Sequence, residues 1–155
     1  MLRIVELVNN FLKKPDFSNT GRIYLACLAK LGKDASPRDV VSDEYACAET
    51  ATTILHELWP EIPVITGTWT LWEYLKQSKL FQKTDYPKQG AIIISPTGTG
   101  NGKLKNGHVG FVGESEMIIS NDSASGLLLE NFTRTSWKQK YFDFGGFKME
   151  FYHRI

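Results

Sequence analysis

The chain has 155 residues, of which 42% are hydrophobic and 12% aromatic, enough for one packed core and a single domain over residues 1–155, with no disorder signature. Lys and Arg number 18 against 17 Asp and Glu, a formal charge of +1, so the basic excess expected of a nucleic-acid partner is missing. No apolar run reaches membrane-spanning length, and the opening MLRIVELVNNFLKK mixes charges into its apolar residues, which reads as neither membrane insertion nor a signal peptide.

The first half is helical in pattern. Leu2, Val5, Val8, Phe11 and Leu12 recur at helical spacing until Pro15 stops them. Ser18 or Asn19 can cap a second helix carrying Ile23, Leu25, Ala26, Leu28 and Leu31 and ending at Gly32, with Cys27 inside it as a small buried hydrophobe. A polar connection leads to a third helix over Cys47–Trp59, closed by Pro60. Thr66 or Thr68 can cap a fourth, running to about Leu80.

The period then changes from helical to alternating. Ala91–Ser95, His108–Gly113, Glu116–Asn121, Gly126–Phe132 and Phe147–Ile155 read as strands. Helices over 1–80 followed by strands over 90–155 predict an α+β domain, its N-terminal helices packed on an antiparallel sheet.

The chemistry centres on few residues. Two cysteines are too few for a disulfide scaffold, although a single Cys27–Cys47 bridge stays open. Three scattered histidines, without HExxH, give no metal site, and no cofactor is expected. PTGTGNGKL lacks the lead glycine and the Ser/Thr of a phosphate loop, and reads as a flexible loop flanking His108.

Cys47 opens the third helix, where unpaired backbone N–H groups and the positive end of the dipole favour thiolate, the nucleophilic form. His56 and Glu49 fall on the opposite face of that helix, read as solvent-facing. A thiolate needs a base, and the base an orienting group. GFVGESEMIIS reads as a hairpin turning at Glu114 and Ser115. That register sets His108 opposite Asn121, both toward the helix layer, while a slip of one would substitute Asp122 or Ser120. Gly110 beside His108 would let a helix approach closely. His153, on the apolar face of the last strand, reads as a satisfied structural histidine.

Cys47 after a polar segment, PKQGAIII, then GHVGFVG and a hairpin ending in a polar residue resemble the papain-like peptidoglycan hydrolases of the NlpC-type and CHAP (cysteine, histidine-dependent amidohydrolase/peptidase) domains. The resemblance covers about Tyr45 to Asn121. Ala46-Cys47-Ala48-Glu49 stands where NlpC-type domains carry Asp-Cys-Ser, and Gly90-Ala91 replaces their Gly-Asp. The resemblance implies a papain-like fold with Cys47 as nucleophile, His108 as general base and Asn121 as its orienting group. The Cys47 N–H, with Tyr45, would form the oxyanion hole, and Trp69 would touch substrate at the cleft edge.

The implied function is a cysteine amidase or endopeptidase on peptidoglycan peptides, acting as a monomer. It would be made in the cytoplasm and reach the wall through a holin, a virion or a secretion system, with an immunity or delivery protein as a further partner. The alternatives are a non-catalytic wall-binding or virion module on the same fold and a two-carboxylate glycosidase, for which no carboxylate pair stands out.

Overall fold

Ser18 opens the first helix of the computed structural model, which describes residues 18–36 and 45–155. The helix expected over Leu2–Leu12 and much of the polar connection before Cys47 lie outside the described residues. Ser18 Oγ accepts the Gly21 N–H at 3.2 Å, satisfying one of the amides orphaned at a helix start, and α1 runs Asn19–Lys30. Gly32 then takes φ +74°, the left-handed turn that ends helices. The third predicted helix is α2, Cys47–Leu58, and the fourth is α3, Thr68–Gln77. α3 stops short of Leu80 because Ser78 is already extended.

Six strands follow: β1 Phe81–Thr84, β2 Ile92–Ser95, β3 His108–Val112, β4 Met117–Asn121, β5 Leu128–Thr133 and β6 Glu150–Arg154. They form one antiparallel sheet in the order β1-β6-β2-β3-β4-β5. The α+β architecture, with helices ahead of the strands, is the one the change of period predicted. β1 was not anticipated: FQKT has one apolar residue, and as an edge strand it needs to bury only Phe81.

Side chains alternate across the sheet and build two cores. On one face Ile92, Ile94, Val109, Phe111 and Ile119 pack against Ile23, Cys27, Ala51, Leu55 and Leu71 of α1–α3. Cys27 is fully buried and both cysteines are free thiols. On the other face Ile93, Val112 and Ile118 pack against Trp137, Tyr141 and Phe147. The layer covering this second face is a helix absent from the sequence reading. It is α4, Arg134–Trp137, capped by Thr133 and Ser136 and continuing as a π-helical turn over Lys138–Phe144.

Three expectations are corrected. The face of α2 carrying Glu49 is not wet: Glu49, Thr50, Thr52 and Thr53 are all buried, the Glu49 side chain is not left without a partner, and His56 Nδ1 bonds the Ile62 carbonyl at 2.7 Å. Gly110 admits a strand rather than a helix, since a Cβ there would lie 2.7 Å from the Ile119 carbonyl oxygen and 2.9 Å from Ser120 Cβ. The β3–β4 hairpin turns one residue later than expected. Ser115 and Glu116 take φ +50° and +66°, and the Met117 N–H closes the turn on the Glu114 carbonyl. The Gly113 N–H also bonds the Met117 carbonyl, a one-residue bulge that sets Phe111 opposite Ile119.

Candidate active site

Cys47 stands at the first position of α2, with no side-chain cap before it at Ala46. The backbone amides of Val109, Ala48 and Cys47 itself instead favour the thiolate there. Burial nevertheless dominates and pushes the thiol up to about 11, the three amides pulling back against it. The thiolate expected from the helix dipole is therefore not the resting form at neutral pH.

His108 opens β3, held by a chain of small polar contacts. Thr68 Oγ1, at the start of α3, donates to Thr97 Oγ1 at 2.9 Å and accepts the Thr97 N–H at 2.9 Å. Thr97 Oγ1 in turn accepts the Gly107 N–H at 2.9 Å. Residue 107 must be glycine, since a Cβ there would lie 1.9 Å from the Ser95 carbonyl oxygen.

The imidazole projects onto the α4 side of the sheet, the face of Val112. It stacks on Trp137 at 5.1 Å and 30° and on Tyr141 at 5.6 Å and 20°. Burial, with the positive charge of Lys140, lowers its pKa to about 3 against a smaller opposing pull from Asp122.

The hairpin register decides which polar group meets that ring. Nε2 of His108 bonds Ser120 Oγ at 2.9 Å, and Ser120 Oγ donates to Asn131 Oδ1 at 2.6 Å. Asn121, expected to share the face of His108, lies two residues after Ile119 and so on the helix-layer face, opposite the imidazole. No hydrogen bond among the described residues joins Cys47 to His108.

Cys47, His108 and Asn121 do line one cavity of about 640 Å³, together with Tyr45, Trp69, Asn131 and Tyr141. Trp69 is 48% exposed and meets Trp72 edge-on at 5.3 Å; Tyr45 is 41% exposed. Both are exposed members of the cavity lining, Trp69 where a cleft-edge residue was expected and Tyr45 where an oxyanion-hole residue was. Lys105 and Lys140 add positive charge to the same lining and Asp122 a negative one, its carboxylate taken up by the Ser125 N–H and hydroxyl. Tyr141 is buried, and both burial and neighbouring Cys47 raise its pKa.

Asn131, Lys140 and Tyr141 escaped the sequence reading, and Ser120 entered it only as a partner in a slipped register. Alternation from Ile118 would have put Ser120 on the second face, but only a correct hairpin register turns that into a contact with His108. His153 is the satisfied histidine expected: its Nε2 accepts the Lys88 N–H at 3.0 Å.

Among the described residues no group of three or more His, Cys, Asp or Glu is arranged to hold a metal ion, and no helix is long and apolar enough to cross a membrane. No protein-family model matches the chain, and no curated protein matches it.

Proposed function

We propose that the chain is a papain-like cysteine amidase or endopeptidase that cleaves amide bonds of peptidoglycan peptides through a thioester on Cys47. The observation that carries this reading is the place of Cys47 at a helix start, lining the same cavity as His108. A nucleophile at the end of a helix dipole, with an imidazole in the same cleft, is the arrangement acyl transfer needs.

In the reaction the thiol proton passes to His108 as Sγ bonds the carbonyl carbon. The oxyanion then faces backbone N–H groups at the helix start, that of Cys47 among them. Collapse breaks the C–N bond, and the amine departs with the proton from His108. A water molecule then gives a proton to His108 and its hydroxyl to the thioester carbon, and the sulfur recovers the proton as the acid is released. Because thiol and imidazole both rest neutral, proton transfer accompanies attack instead of preceding it. The two groups must also close on one another when substrate enters, as catalytic hydrogen bonds often do.

A second reading is a non-catalytic wall-binding or virion module on the same fold. The observation favouring it is that Cys47 and His108 are not hydrogen-bonded and neither rests charged. Digestion of purified peptidoglycan separates the two. Wild-type protein should release fragments with new amino groups by mass spectrometry, and Cys47→Ala should release none while keeping the same circular dichroism. Fragments with new reducing ends would instead indicate a glycosidase, and undiminished release by Cys47→Ala would remove Cys47 from the chemistry. No release by either protein, with retained binding to wall material, would favour the module.

A further inference from the structure

We propose that Ser120 and Asn131 together set the tautomer of His108, keeping its hydrogen on Nε2 and leaving Nδ1 as the nitrogen that takes the Cys47 proton. The assignment of Nδ1 to that step rests on the proposed role of His108 as base; the tautomer itself does not. A serine hydroxyl has one hydrogen and two lone pairs. Ser120 gives its hydrogen to Asn131 Oδ1 at 2.6 Å, an atom that can only accept. At His108 Nε2, 2.9 Å away, Ser120 can therefore only accept, and the ring nitrogen must donate. A neutral imidazole carries one N–H, so Nδ1 is bare.

The backbone places both residues for this purpose. Ile118 pairs with Phe132 and Ile119 with Glu130, so Asn131 is the extra residue of a bulge in β5. Bulges re-aim a side chain, and this one brings the Asn131 amide to Ser120. Gly110, with no side chain, lets β4 come close enough for the serine to reach the ring. Trp137 and Tyr141, stacked with the imidazole, oppose its tilting out of line. In such a buried chain each bond polarises the next, so removing the terminal acceptor alters the first donor.

Uniformly ¹⁵N-labelled protein at pH 7.5 tests this by two-bond ¹H–¹⁵N correlation of the histidine rings. The wild-type His108 ring should show protonated Nε2 and bare Nδ1. Asn131→Leu removes the acceptor, frees the Ser120 hydrogen to point at Nε2, and should switch the ring to protonated Nδ1. Ser120→Ala should give a mixture of tautomers with about a hundredfold loss of kcat/KM, the low end of what a positioned base supplies, and Ser120→Thr should restore both. Asn131→Asp keeps an acceptor in place and should keep the wild-type tautomer, with the lower limb of the pH–rate profile moved upward by the added negative charge.

Protonated Nδ1 in the wild type would overturn the proposal, because the amide of Asn131 would then be donating to Ser120. So would a ring unchanged in both Asn131→Leu and Ser120→Ala. Protonated Nε2 in a protein whose Cys47→Ala variant still digests wall would leave the relay standing and sink the hydrolase reading alone.

Discussion

At the scale of single residues, two effects compete at Cys47. The helix start and three backbone N–H groups favour the thiolate, and burial opposes it. Burial wins, with a pKa near 11, so at pH 7 about one thiol in 10⁴ is ionised, against a few per cent for a free cysteine. Iodoacetamide should therefore label Cys47 slowly at neutral pH and about tenfold faster per pH unit from 7 to 9, without a plateau; mass spectrometry of the labelled peptide reads the rate. A plateau near neutrality would mean a preformed thiolate–imidazolium pair and would contradict the neutral resting site. Fully buried Cys27 should not react at all. Sequence position distinguished these two thiols, because one is mid-helix in an apolar stripe and the other begins a helix. It could not give the ionisation state, which depends on how deeply the packing of α2 against β3 buries the sulfur.

At the scale of elements, the β3–β4 hairpin governs both the site and how much of it was legible. GESE has no glycine at its centre, so its composition did not fix the turn, which the strand pattern centres on Glu114 and Ser115. The chain instead places Ser115 and Glu116 in the left-handed region, which costs roughly 1 kcal/mol for a residue with a side chain, and absorbs one residue in the bulge at Gly113. The shift turned Asn121 away from the face of His108, and Ser120, level with Gly110, reaches the ring diagonally.

Two left-handed central residues are the requirement that Asn-Gly meets best. The double substitution Ser115→Asn/Glu116→Gly should stabilise the protein by about 1 kcal/mol, less a few tenths for the exposed ion pair of Glu116 with Arg134 at 3.4 Å. Thermal denaturation should show a rise of roughly 3 °C for a domain of this size. A fall in Tm would mean that the turn is held by contacts of those two side chains and not by its backbone.

At the scale of the whole molecule, covering the sheet on both faces is what makes His108 uncharged. The sequence pattern points to helices on one face only, because the segment Arg134–Phe144 is short and mixes aromatic with charged residues, without a clear amphipathic repeat. That segment supplies Trp137 and Tyr141, which bury the imidazole, and Lys140, whose charge disfavours protonating it further.

The consequence is a pH dependence of folding with a definite sign. The folded pKa of His108, about 3, lies below the unfolded value near 6.5, so the unfolded chain binds the proton more readily. The stabilisation is fully present above pH 6.5 and is lost as pH falls toward 3. His153, also lowered by its partial burial and by Lys88, acts in the same direction over the top of that range. Glu150 is raised by burial but more strongly lowered by hydrogen bonds from Trp72, Tyr152 and Lys83, so its contribution disappears only in the carboxylate range.

Between pH 6.5 and 4.5, then, the histidines set the slope. Urea denaturation across that window should show stability falling by up to about 1.4 kcal/mol per pH unit for one proton taken up on unfolding. His108→Gln should flatten that slope, His153→Gln should change it less, and Lys140→Gln should shallow it by letting the buried ring charge more easily. An equal slope in wild type and His108→Gln would show that the imidazole is already exposed to protons in the folded state, and that α4 does not seal this end of the sheet.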